Sequence, residues 1–199
     1  MSANVQKYSK SAIILHWLVG TLILVMFAIG WFMAELPKDA PKIASLDMFD
    51  LGIYTMQFTE EITPRTFYFN LHKSIGVTVL MLVLLRIYVR FSHAAPAFPA
   101  TMKIWEIRVA DLVHKGLYVL MVAMPLTGVA MSLNSKFGIK WFGIQLLGGV
   151  DNKEMRELFV VIHEVIGLAL MVMIVLHVAA AIKHKVIDKD EVMQRMSLH

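Results

Sequence analysis

Four stretches of the chain, Ala12–Ala34, Leu71–Arg90, Leu112–Ser132 and Leu158–Ile182, are long and apolar enough to cross a lipid bilayer as helices. A crossing helix needs about 20 mostly apolar residues to span about 30 Å of hydrocarbon. The charged members of these stretches, Lys73, Arg86, Lys115 and Glu164, lie near the ends, where long side chains reach the interface at little cost. Trp17, Trp31 and Tyr88 lie near span ends, as an interfacial aromatic belt requires. No stretch alternates with the period of two that marks a membrane barrel strand. Composition agrees. The chain is 58% hydrophobic and 17% charged, against about 45–50% and about 25% in soluble domains. These features predict an all-α fold: one transmembrane domain over residues 1–199, an integral membrane four-helix bundle in a lipid bilayer.

The first stretch is too long for a signal-peptide core and has no small-residue cleavage site before the polar break at Glu35–Pro37. It is therefore expected to stay in place, anchored by Lys7 and Lys10. With both termini cytoplasmic, the inner side carries 11 of the basic residues and the outer side 8, the bias expected of a multi-pass protein. The net charge of +4 comes from scattered residues with no nucleic-acid-binding motif, which excludes nucleic acid as a partner. The absence of cysteine excludes disulfides, thiolate chemistry and iron–sulfur clusters. Between the first two spans, the apolar content of Leu46–Phe58 predicts a helix lying at the interface. Ile104–Ala110 reads as a separate short amphipathic turn, and Met155–Leu158 as a lead-in to the fourth span.

Histidine is the soft ligand that remains, and intramembrane histidines are costly and usually functional. Five of the eight lie in the spans: His16, His72, His114, His163 and His177. His163 and His177 share one span, fourteen residues apart. At about 100° and 1.5 Å per residue they lie about 40° apart around the axis and about 21 Å apart along it. One helix thus offers a ligand at each of two depths. The topology puts His16 at the depth of His177 and His72 at the depth of His163. Two pairs of imidazoles, one above the other, suit two haem b groups, because a low-spin haem takes an axial imidazole on each face and a helix bundle can supply both. A zinc or transport site would instead gather its ligands at one depth with carboxylates nearby.

Three of these histidines are followed four residues later by glycine: Gly20, Gly76 and Gly167. That position lies on the same helical face one turn on, where a missing side chain lets the backbone approach a flat ring. Arg86, fourteen residues after His72, shares its face near the inner level. It either pairs with a haem propionate or snorkels to the interface. Lys73 and Arg156 are outer counterparts, for a propionate or an attracted anion. His114 enters at the level of the inner pair, where it can replace a ligand, hold a propionate, line a quinone pocket or simply bond a neighbouring helix. His184 shares the face of His177 at the membrane surface. His93 and His199 fall outside the spans.

The chain resembles the bacterial cytochrome b561 family over nearly its whole length. The resemblance rests on Leu15-His16-Trp17 in the first span, Asn70-Leu71-His72-Lys73-Ser74-Ile75-Gly76 in the second and Val113-His114-Lys115-Gly116-Leu117-Tyr118 through Pro125-Leu126-Thr127-Gly128 in the third. His163-Glu164 with Gly167, and Leu176-His177, complete it in the fourth. It implies a four-helix, two-haem electron carrier of the bacterial inner membrane, with His16/His177 and His72/His163 as axial pairs. It is similar to the small quinone-linked members that pass an electron from periplasmic superoxide to ubiquinone. The alternative it implies is a membrane cytochrome subunit exchanging electrons between quinone and a periplasmic redox protein. One departure stands out: the outer side carries ten acids against eight basic residues, whereas an acceptor of anions should focus them.

Overall fold

The computed structural model describes residues 6–47, 52–99 and 101–198. Four helices dominate it: α1 (Lys10–Glu35), α2 (Pro64–Ser92), α3 (Ile104–Leu133) and α4 (Lys153–Lys183). All four are long and apolar enough to cross a membrane. Each extends past the predicted apolar core, because polar residues beyond the hydrocarbon still cap and continue the helix. Ser9 Oγ accepts from the Ala12 amide, Thr63 Oγ1 from Thr66 ahead of Pro64, and Asn152 Oδ1 from Met155. These are ordinary N-terminal caps for otherwise orphaned amides. Ile104–Ala110 is accordingly not a separate turn but the start of α3, and Met155–Leu158 belongs to α4.

The connections between α1 and α2 and between α3 and α4 each form a short antiparallel hairpin. The first pairs β1 (Ile43–Asp47) with β2 (Thr55–Ile62), and the second β3 (Ile139–Trp141) with β4 (Ile144–Leu147). The expected interfacial helix over Leu46–Phe58 is thus overturned at both of its described ends; Met48–Leu51 lie outside the described residues. Along β2 the apolar Met56 and Phe58 are half-buried and alternate with exposed Thr55, Gln57 and Thr59, the period of a strand rather than a helix. The second hairpin rests on α2. Trp141 Nε1 donates to Thr78 Oγ1 at 3.1 Å, and the Phe142 amide to Ser74 Oγ at 2.9 Å.

The helices pack in sequence order, α1 on α2, α2 on α3 and α3 on α4. Mid-bundle, Val19 and Ile23 of α1, Val79 and Val83 of α2, Leu117 and Met121 of α3 and Leu170 of α4 form one buried apolar cluster. The i, i+4 spacing of the first three pairs places each on one helical stripe. The opposite faces expose Leu24, Leu84, Val119, Leu168 and Val172, a belt of apolar side chains that suits hydrocarbon rather than water.

The two ends of the bundle differ. One carries both hairpins. The other carries both termini, and there the tail folds back. Trp17 Nε1 donates to the Met196 carbonyl at 2.9 Å, the Tyr8 amide to that of Arg195, and Arg195 to that of Ala97. Lys183 bridges Glu106 of α3 at 2.8 Å, and His184 Nδ1 donates to Asp190 Oδ2 at 2.6 Å.

At the hairpin end, Arg65 seals the exit of α1. Its Nη1 reaches the carbonyls of Met33, Ala34 and Leu36 at 3.1, 3.2 and 2.6 Å. Helix ends leave such carbonyls without partners, and a hydrogen bond from a charged donor contributes about 1.5–3 kcal/mol. Arg65→Ala is expected to lower the thermal midpoint of the detergent-solubilised protein by several degrees, while Arg108→Ala leaves it in place; differential scanning fluorimetry reads both.

Candidate histidine site

Antiparallel packing of α1 and α2 puts His16 and His72 at opposite ends, and the length of α4 carries His163 and His177 to meet them. At the terminal end the rings of His16 and His177 have centroids 6.0 Å apart. Two imidazoles bound to one metal through Nε2 at about 2 Å each would have centres about 6 Å apart, so the spacing fits a shared metal. His114 joins this level, its ring 5.3 Å from that of His177. Three imidazoles therefore gather where two were paired from the sequence.

Arg86 lies on the same level. Its Nη2 donates to His16 Nδ1 at 2.8 Å, and its guanidinium stands over the Tyr118 ring, 5.5 Å from the centroid. Guanidinium only donates, so His16 Nδ1 is the acceptor and Nε2 carries the ring's proton. Binding a metal through Nε2 requires that contact to open, which frees the guanidinium for an anion. Arg86 makes no ion pair among the described residues, and a half-buried cation without one is costly.

At the hairpin end stand His72 of α2 and His163 of α4. Each ring is seated against a glycine of the neighbouring helix. A Cβ on Gly128 of α3 would lie 3.3 Å from His163 Cε1, and one on Gly30 of α1 would lie 3.5 Å from His72 Cε1. His163 Nδ1 is 2.9 Å from Thr127 Oγ1. His72 Nδ1 is buried without a partner. Both Nδ1 atoms thus face the flanking helices, α1 and α3, which leaves Nε2 on the far edge of each ring, the edge a metal needs. The residues present suit a bis-imidazole metal group at this level.

The glycines that follow the histidines have other neighbours. Gly20 has open space beside it, Gly76 faces the Met26 methyl, and Gly167 faces Met124 and Phe27. None meets an imidazole. Gly30 and Gly128, which do, were missed, because their phase relative to a histidine exists only across a helix pair. Lys73 is half-buried on α2, next to His72. Arg156 lines a cavity of about 350 Å³ at the hairpin end, with Ser135, Lys136, Phe137, Asp151 and Lys153.

The prokaryotic cytochrome b561 family matches residues 7–197. Among curated relatives, cytochrome b561 homolog 1 of Escherichia coli (strain K12) is 26% identical over 96% of both chains. Cytochrome b561 homolog 2 of the same organism is 26% identical over 96% of this chain and 91% of its own. The probable superoxide oxidase CybB of Yersinia pestis is 24% identical over 96% of both. The chain belongs to the prokaryotic cytochrome b561 family: a bacterial membrane protein that binds haem b and transfers electrons across the membrane. Gly128→Leu is expected to lower haem absorbance per chain by displacing His163, while Gly148→Ala in the second hairpin, with open space beside it, keeps the wild-type spectrum.

Proposed function

We propose that this cytochrome b561 holds two haem b groups, one at each imidazole level, and carries electrons from superoxide at the hairpin end to ubiquinone in the membrane. The observation that carries the reading is the division of imidazoles between two ends of one bundle, with a dry apolar cluster between them. In it His72 and His163 bind one haem and His16 and His177 the other. Haem held there by these imidazoles would supply reversible one-electron chemistry. Two superoxide ions each surrender one electron and leave as dioxygen; ubiquinone takes both electrons and two protons. The protein's part is to hold, orient and exclude water.

With both termini in the cytoplasm, the hairpin end faces the periplasm. The outer side as a whole is acidic, yet the cavity there gathers Lys136, Lys153 and Arg156 around a single carboxylate, Asp151. Such a local field raises the concentration of a small anion. Arg156 lies seven residues before His163, two turns and about 10 Å along the same face of α4. The likeness to a probable superoxide oxidase supports this substrate. At the terminal end Arg86 pairs with a propionate, and His114 lines the quinone side of the ligand pair. A second reading rests on exposed Glu60 and Glu61 of β2, which would dock a basic periplasmic redox protein exchanging electrons with quinone.

Stopped-flow mixing of the purified protein with superoxide tests the choice. Rapid haem reduction without any partner, reversed by ubiquinone, is expected; haem that stays oxidised until a redox protein is added favours the second reading. Lys136→Glu with Arg156→Glu should slow reduction by superoxide at least tenfold and leave reduction by dithionite unchanged. His72→Ala and His163→Ala should each remove the same half of the haem absorbance, and His16→Ala the other half, as resolved by low-temperature difference spectra.

A further inference from the structure

The geometry points to Thr127 as the residue that sets the tautomer of His163 and thereby the donor strength of the iron ligand at the hairpin end. It rests on the reading that His163 is an axial ligand. The argument is one of proton counting. A threonine hydroxyl has a single proton, and Thr127 Oγ1 lies 2.8 Å from the Met124 carbonyl, which can only accept. We assign the proton to that carbonyl, which leaves Oγ1 free to accept. The same oxygen is 2.9 Å from His163 Nδ1, so in that contact the oxygen accepts and Nδ1–H donates. A neutral imidazole has one ring proton. With it held on Nδ1, Nε2 is bare and ready to bind a metal.

Nothing equivalent exists at the other three positions. His72 Nδ1 is buried without a partner, His16 Nδ1 accepts from Arg86, and the ring nitrogens of His177 have no hydrogen-bond partner among the described residues. The adjacent Gly128 makes the contact possible. It has no side chain to hold the ring away, and His163 Cε1 would stand only 3.3 Å from a Cβ there. Thr127 is a positioning residue, not a catalytic one: it touches the ligand and never the iron. A ligand whose far N–H is hydrogen-bonded is the stronger donor, and a stronger donor favours ferric over ferrous iron. Thr127 thus lowers the reduction potential of the hairpin-end haem and leaves the other haem alone.

The test is spectroelectrochemical titration of the purified holoprotein with three side chains at this position. Thr127→Val keeps the shape and loses the acceptor; Thr127→Ser keeps the acceptor. The potential of one haem is expected to rise in Thr127→Val and return to the wild-type value in Thr127→Ser, while the second haem stays put. The haem that moves must be the one missing from His163→Ala. Loss of that haem alone from Thr127→Val, with retention in Thr127→Ser, would likewise support the assignment. An unchanged or lowered potential in Thr127→Val, a shift that serine fails to reverse, or loss of both haems would overturn it. A His163→Ala protein that keeps both haems would instead remove the underlying ligand reading, a separate result.

Discussion

An imidazole inside a membrane bundle must have each nitrogen answered, because neither water nor lipid will do it. That constraint orders the whole structure. Unanswered polar groups cost several kcal/mol in hydrocarbon, and two of the intramembrane histidines take a partner from a neighbouring helix. His163 finds Thr127 on α3 and His16 finds Arg86 on α2. His72, with a buried and unpartnered Nδ1, shows what the arrangement costs where no side chain answers. Close helix pairing supplies the rest: Gly30 and Gly128 let their helices come near enough for a ring edge to sit against each. In this bundle these two glycines serve the seating of histidines as much as the packing of helices.

Much of this was legible in the chain before any coordinates. The spans follow from length and polarity, which a bilayer reads almost without context. The two levels follow from the fourteen residues between His163 and His177, since helical phase is a local property. The meeting of His16 with His177 follows from the antiparallel order of neighbouring spans. What escaped was cross-helix. Gly30 is forty-two residues from His72 and Gly128 thirty-five from His163, and no periodicity within one helix relates them. Arg86 was placed at the level where it stands, but its contact with His16 Nδ1 was not foreseen. The hairpins escaped for a different reason. Leu46–Phe58 was weighed by apolar content, while its alternation from Thr55 onward carried the strand signal, and β3 and β4 span only three and four residues.

The two ends are built for different tasks. At the terminal end the tail crosses the helix ends and ties Trp17, Ala97 and Tyr8 to residues 195 and 196, so Trp17, edge-on to His16 at 5.3 Å, is held from outside the bundle. At the hairpin end the covering is lighter. Two short strand pairs reach over the helices, only one of them bonded to α2 through Trp141 and Phe142, and a cationic cavity stays open beside it. A small anion meets a basic cavity at one end, while the tail lies across the helix ends at the other.

The hydrogen bonds at the two levels also differ in sign. At the hairpin end a ring N–H gives its proton toward a neutral oxygen, which makes the imidazole richer in electrons. At the terminal end the contact between Arg86 and His16 opens when that ring binds through Nε2, and the freed guanidinium keeps its positive charge on that level, with no ion pair to a carboxylate among the described residues. Electron density placed in a low-dielectric bundle is stabilised by a nearby cation far more than it would be in water. Both effects push the same way: they make the hairpin end the easier place to lose an electron and the terminal end the easier place to gain one. In the proposed reading that is the slope a carrier needs if superoxide delivers at the first and quinone collects beyond the second, and two side chains, Thr127 and Arg86, produce it without any change in the ligands themselves.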